Sequence, residues 1–143
     1  MGLRRKGRIL SLQALYAWEI SRSPLNFLLE YSWLDEERRK EYEGEAMTFS
    51  SLLTAGTLEN IELIDSTIKK NLEHWDFSRV SKVDLAILRI SVYALLFLTD
   101  IPPSVTIDEA VDLAKDFGTD DSYRFINGVL DGIRKEKIVY SFP

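Results

Sequence analysis

The first eight residues of the chain hold a dense group of positive charges, on Arg4, Arg5, Lys6 and Arg8. Guanidinium and ammonium groups at this density neutralise phosphates, and the resulting nucleic-acid affinity falls as salt is added. The other 135 residues carry 14 basic and 23 acidic side chains, so their net charge is −9, against −5 for the whole chain. A basic arm on an acidic body has two interpretations, a segment that contacts RNA or DNA or a frayed, solvated terminus.

Sequence patterns that carry catalysis or hold metals are absent. The chain has no P-loop, no Gly-x-Gly-x-x-Gly, no Gly-x-Ser-x-Gly and no His-Glu-x-x-His. It has no cysteine, which excludes thiolate chemistry, and His74 has no second histidine with which to share a metal. We therefore predict a protein that is not an enzyme and that uses no cofactor or metal. The lack of cysteine and of an export signal favours a cytoplasmic location.

The element predicted to organise the fold is a helix over residues 81–99. Ser81 and Asp84 are spaced as the N-cap and N3 positions of a capping box. Apolar residues then cover almost the whole circumference of the predicted helix. Such a helix must be surrounded by other helices or by lipid, and the polar residues Asp84, Arg89 and Ser91 interrupt it too early for a membrane span. We expect the buried central helix of a bundle.

Apolar residues recur at helical spacing along most of the remaining chain. They predict helices over 8–20, from Pro24 onwards, and over 46–74, where Gly56 bends or divides a long segment. The charge-dense stretch 35–45 mixes both signs, and we interpret it as a solvated helix face or loop.

Turn signals divide the C-terminal part of the chain. The two prolines at 102–103 form a rigid turn after the central helix. Thr106 and Glu109 are spaced as a capping box that opens the next helix, and Gly118 is predicted to end it in a left-handed conformation. Residues 119–122 then open the last helix.

These elements predict an all-α fold of about six or seven helices in two packed sub-bundles around the central helix. The chain is expected to form a single domain over 1–143. Its predicted parts are a basic arm at 1–8, an N-terminal sub-bundle over about 9–75, a C-terminal sub-bundle over about 76–137 and a tail at 138–143.

Three stretches of the sequence together resemble one family. Residues 4–16 contain Arg-Arg-Lys-Gly-Arg and then Leu-Gln-Ala-Leu-Tyr, and residues 83–93 contain Val-Asp, then Ile-Leu-Arg-Ile and a tyrosine. The run 106–131, which ends in Asn-Gly-Val-Leu-Asp, is the most specific. In these stretches the chain is similar to the NusB family of bacterial transcription antitermination factors. The match in order covers nearly the whole chain, but 30–45 carries little resemblance.

The resemblance implies an all-helical protein that catalyses no reaction and pairs with the ribosomal small-subunit protein NusE. Together they would bind the boxA element of ribosomal RNA leader transcripts. The complex would then join the RNA polymerase elongation complex and let it pass terminators. Some members of the family self-associate through the RNA face, so a homodimer stays open, and no membrane partner is implied.

The resemblance also implies where RNA and protein contacts lie. The RNA-binding candidates are Arg4, Arg5, Lys6, Arg8, Gln13, Tyr16, Phe117, Asp121 and Phe125. The cations would neutralise phosphates and the rings or the amide would receive unstacked bases, whereas Asp121 would repel phosphate or cap a helix. Each of the three aromatic side chains also has burial in the core as an alternative. On the central helix, Asp84 is the candidate for an ion pair with NusE.

The chain departs from the family at three positions, where Leu85, Ala94 and Asn71 replace a common arginine, glutamate and tyrosine. Two other functions are compatible with a helical protein of this kind. The front domain of a ribosomal RNA cytosine methyltransferase would share the fold, but its chemistry needs a cysteine that this chain lacks. A helical adaptor that binds only protein would use the basic arm on an acidic partner, and it would show no sequence-selective RNA binding.

Overall fold

The computed structural model describes residues 1–74 and 76–136, and every regular element within them is helical. The α-helices are α1 (Leu3–Ser21), α2 (Leu25–Glu30), α3 (Glu36–Tyr42), α4 (Glu45–Glu59), α5 (Ile61–Lys70), α6 (Lys82–Phe97), α7 (Pro103–Phe117) and α8 (Ser122–Glu136), with a 3-10 turn at Phe77–Arg79. The all-α prediction is confirmed. These residues form eight α-helices rather than six or seven, because the charge-dense stretch is itself a helix and 46–74 is divided. The predicted tail at 138–143 lies outside the described residues.

The helix α6 lies at the centre of the fold, as predicted. Ser81 caps it by accepting a hydrogen bond from the backbone N–H of Asp84, over 3.1 Å. Residues 84–94 are all buried, because α1, α4, α5, α7 and α8 pack against the helix. Among the described residues the bond from the Asp84 N–H to Ser81 is the only side-chain bond of this capping box, and Asp84 Oδ1 is buried without a hydrogen-bond partner.

A buried arginine on α6 joins three helices. Arg89 is 2% exposed, and its guanidinium donates to both carboxylate oxygens of Asp65 on α5 at 2.9 Å each and to Glu19 on α1 at 2.8 Å. Burial alone would lower the pKa of Arg89, but the hydrogen bonds to Asp65 and Glu19, together with the negative charges of these carboxylates, raise it. We call Arg89, Asp65 and Glu19 the ion triad.

The helices α1 and α4 form the most extensive helix pair of the described structure. A methyl group at Gly7 would lie 2.8 Å from the carbonyl oxygen of Ala46, so glycine permits the close approach. The division of 46–74 occurs at Asn60, not at Gly56 as expected. Gly56 instead lies inside α4. Glycine is needed there because the ring of Tyr93 occupies the space that a larger side chain would fill.

Two predictions about α7 are wrong. The helix begins at Pro103 rather than after a Thr106 N-cap, because proline at the first helical position has no intrahelical N–H bond to lose. Thr106 is therefore buried within the helix. Gly118 is extended, with φ −93° and ψ −167°, and is not left-handed. A side chain there would meet the Cβ of Ser122 at 2.6 Å, so close packing is the reason for glycine.

The short helices α2 and α3 cover a small second core beside α1. Leu10 of α1 packs there with Tyr31, Leu34 and Tyr42. Through Tyr42, α3 is joined to this small core. Within the described part of the chain, no helix combines the length and apolar character needed to cross a bilayer.

Candidate nucleic-acid interface

The basic cluster lies within α1, which begins at Leu3 with Gly2 as its N-cap. The predicted basic arm over 1–8 is therefore mostly helical. Successive helical residues are turned by about 100° from one another. Arg4 and Arg8 consequently lie on one face of α1, whereas Arg5 and Lys6 project in other directions.

Arg4 and Arg8 are one turn apart, and both contact an aromatic ring of α4. Their guanidinium carbons lie 5.5 and 5.3 Å from the ring centroid of Phe49. Arg8 is buried there, and this burial lowers its pKa, whereas Arg4 is exposed. Of the two, Arg4 therefore has the more accessible charge.

Arg5 is held by two carboxylates of α7. Its Nη2 donates to Asp112 at 2.6 Å and its Nε donates to Glu109 at 3.1 Å. The hydrogen bond to Asp112 is the main reason that the pKa of Arg5 is raised. Glu109 also lies 4.0 Å from Arg8. The acidic residues of α7 thus compensate part of the basic cluster, which the sequence spacing did not indicate.

A groove separates the start of α1 from α7. It has a volume of about 550 Å³ and is lined by Met1, Gly2, Arg4, Arg5, Arg8, Val105 and Glu109. Its walls present three guanidinium groups and one carboxylate, so its net charge is positive. The chemistry of this α1–α7 groove suits a phosphodiester group.

Gln13 and Tyr16 lie further along α1. Gln13 is half-buried and accepts a hydrogen bond from Arg38 of α3, over 2.7 Å. Tyr16 is 38% exposed, so its ring is not part of the core. The two residues are three positions apart, which places them on the same side of the helix.

The other three RNA candidates lie at the junction of α7 and α8. Phe117 is 41% exposed at the end of α7, and Asp121 is exposed in the turn. Phe125 is half-buried and packs against the main core. Phe117 and Phe125, for which the sequence left the same two alternatives, therefore differ in how far they are exposed.

Two cations that were not predicted lie close to this junction. The Nζ of Lys115 and the guanidinium carbon of Arg124 are 5.2 and 5.3 Å from the ring centroid of Tyr123. Arg124 Nε also donates to the hydroxyl of Tyr123 at 2.9 Å. The signal that could have found them is the Tyr-Arg pair at 123–124, inside the most family-like stretch of the sequence.

A second groove lies between the end of α5 and α8. It measures about 370 Å³ and is lined by Asn71, Leu72, Glu73, His74, Arg124, Phe125, Gly128, Val129 and Gly132. A Cβ at Gly132 would lie 2.7 Å from the side-chain oxygen of Asn71, so that glycine makes room for the amide. Gly128 instead borders open space.

Asp84, the candidate for a protein contact, lies in the first turn of α6. It is only 9% exposed, because other helices surround α6. The resemblance implied an ion pair between Asp84 and NusE, and the structure leaves little of the carboxylate accessible to a partner.

The sequence is similar to known antitermination proteins. The sequence model of the NusB family matches residues 5–135. The chain is 50% identical to Transcription antitermination protein NusB of Treponema denticola over 133 residues, which cover 93% of this chain and 96% of that protein. It is 52% identical to the protein of the same name from Treponema pallidum over 132 residues, 92% of each chain.

The fold of this chain is also similar to solved structures of NusB proteins. T. maritima NusB superposes with a TM-score of 0.82 and 41% identity, covering 93% of this chain and 91% of that one. A chain in a crystal structure of the antitermination factors NusB and NusE in complex with dsRNA has a TM-score of 0.80 and 28% identity. That match covers 95% of this chain and 98% of the other.

Proposed function

This chain belongs to the NusB family, and on that basis we propose that it is a transcription antitermination factor and not an enzyme. It pairs with NusE, and the pair binds the boxA RNA of ribosomal RNA leader transcripts. The complex joins RNA polymerase and promotes passage through terminators. The observation that carries this proposal is the likeness, over 95% of the chain, to a solved structure that contains NusB, NusE and dsRNA.

The basic start of α1 supplies affinity for the RNA backbone. Arg4 and Lys6 have no ion pair among the described residues and contribute most of the salt-dependent attraction. Arg5 and Arg8 contribute less, because Glu109 and Asp112 compensate them. The α1–α7 groove receives phosphate.

Base recognition falls to side chains that follow this groove on α1 and at the α7–α8 junction. The exposed rings of Tyr16 and Phe117 stack on unpaired bases, and Gln13 bonds a base edge. Phe125 supports this surface from its half-buried position. Asp121 repels phosphate and so limits the affinity.

The remaining features of the proposal concern assembly. Asp84 contributes a small part of the NusE contact, since little of it is exposed. The chain folds as one domain in which two sub-bundles meet at α6. A homodimer through the RNA face would compete with RNA, and a factor that acts on nascent transcripts belongs in the cytoplasm.

The proposal is tested by fluorescence anisotropy of a labelled boxA RNA titrated with the protein, with and without NusE. A scrambled RNA of the same composition is the control. We expect tighter and sequence-selective binding when NusE is present. Equal and weak binding to both RNAs, unchanged by NusE, would leave the alternative of a helical adaptor that binds protein alone.

A further inference from the structure

A hydrogen bond between α1 and α3 fixes the amide of Gln13. Arg38 Nη2 donates to Gln13 Oε1 over 2.7 Å, and both side chains are half-buried. Arg38 is itself held in place, since its backbone N–H donates to the Asp35 side chain at 2.8 Å. Its guanidinium carbon also lies 5.8 Å from the ring centroid of Tyr42, which belongs to the small core beneath α3. The sequence had indicated only a solvated charge run here.

The chemistry of arginine decides which way the Gln13 amide points. A guanidinium group has only N–H donors, so the group that faces Arg38 must be the amide oxygen. The NH2 group of Gln13 is therefore turned away from Arg38. Among residues 1–74 and 76–136, the structure records no acceptor for Gln13 Nε2.

An amide held in this way offers two free N–H donors, and Arg38 takes one of the two lone pairs of its oxygen. The NH2 group of Gln13 therefore suits an acceptor atom of a base, such as a carbonyl oxygen of uracil, guanine or cytosine or a ring nitrogen of adenine. Tyr16 is exposed on the next turn of the same face and can stack that base.

We propose that Arg38 is a positioning residue for RNA recognition, which orients Gln13 so that its NH2 group donates to an acceptor atom of an RNA base. The inference rests on the proposed function and deepens it, because it assigns the choice of base to one amide and its orientation to α3.

The test measures binding of boxA RNA and of scrambled RNA by the full chain and by Arg38→Ala, Arg39→Ala and Gln13→Ala. Arg39 is the matched control, since it is an adjacent exposed arginine of the same helix. We expect Arg39→Ala to weaken both RNAs alike. Arg38→Ala should lower the boxA-to-scrambled affinity ratio by about threefold to tenfold, the effect of one hydrogen bond. In a Gln13→Ala background, Arg38→Ala should not change the ratio further.

A second variant tests the donors without disturbing the fold. Gln13→Glu keeps the oxygen that Arg38 bonds and removes both N–H donors, so the ratio should fall while the thermal midpoint is retained. The inference is overturned if Gln13→Glu keeps the ratio, if Arg38→Ala and Arg39→Ala change it equally, or if Arg38 and Gln13 act additively. If the unmodified protein with NusE does not distinguish the two RNAs, the proposed function fails, and this inference fails with it.

Discussion

Replacing Arg89 by methionine tests whether the ion triad holds α1, α5 and α6 together. Methionine fills the volume of the aliphatic stem but offers no donor and no charge. The substitution therefore leaves the carboxylates of Glu19 and Asp65 in a partly buried site without their shared cation. We expect a folded but clearly destabilised protein.

The expected loss follows from the geometry of the triad. Arg89 makes three hydrogen bonds of 2.8–2.9 Å to carboxylates. Bonds to charged groups contribute about 1.5–3 kcal/mol each, a gross sum of about 5–9 kcal/mol. The cost of burying the guanidinium is removed at the same time, so the net loss should be about 3–5 kcal/mol, as for other buried pairs that lose one partner. For a chain of this size that is a drop of roughly 6–20 °C in Tm.

Urea unfolding followed by circular dichroism measures this loss. Arg22→Met is the control, because Arg22 contacts the same Glu19 at 3.3 Å but is 57% exposed, and it should cost about 1 kcal/mol or less. The raised pKa keeps Arg89 charged, and its contribution would be lost only as the pH rises past that pKa. The difference between the two variants should therefore be constant from about pH 6 to pH 9. Equal losses in both variants would refute the structural role of the triad.

Three further predictions concern the RNA face and the core. Glu109→Gln combined with Asp112→Asn should free Arg5 and raise the affinity for boxA and scrambled RNA alike. The salt dependence of binding, measured by anisotropy titration, should become steeper by about one, and an unchanged slope would contradict this. Phe117→Ala should keep Tm and cost about 1–3 kcal/mol of RNA binding, whereas Phe125→Ala should also lower the free energy of unfolding by about 2 kcal/mol. If Phe117→Ala lowers Tm as much as Phe125→Ala does, the Phe117 side chain is part of the core and is not an exposed ring. Gly56→Ala should cost about 1–3 kcal/mol in urea unfolding, because the added methyl overlaps the ring of Tyr93, and a neutral result would show that the ring can move away.

Local patterns in the sequence predicted most of the fold. The Ser81 cap and the nearly all-round apolar character of 81–99 were sufficient to identify α6 as the central helix, because both depend on residues a few positions apart. Helix boundaries were less certain where two signals compete. The helix α7 begins at Pro103, three residues before Thr106. The segment 46–74 is divided at Asn60 instead of at Gly56.

The sequence predicted which residues form the candidate site, but it did not predict which of them are paired, buried or exposed. The sequence placed Arg4, Arg5, Lys6 and Arg8 together as four equivalent cations. The structure distinguishes them. Arg5 is paired with two carboxylates of α7, whereas Arg4 and Arg8 lie over the ring of Phe49 and only Arg8 of these two is buried. Likewise, Tyr16 and Phe117 are exposed and Phe125 is half-buried, although all three fall on apolar stripes.

The sequence by itself determined that the protein is all-helical, where its central helix lies and which charges are concentrated at the start of α1. Only the tertiary structure decided how those charges are paired. Arg5 and Glu109 are 104 residues apart, Arg89 and Glu19 are 70 apart, and Arg38 and Gln13 are 25 apart. Helical periodicity fixes neighbours three or four positions away. Contacts between side chains on different helices depend on which faces pack together, so the acids that compensate Arg5 and the arginine that orients Gln13 become visible only in the folded chain.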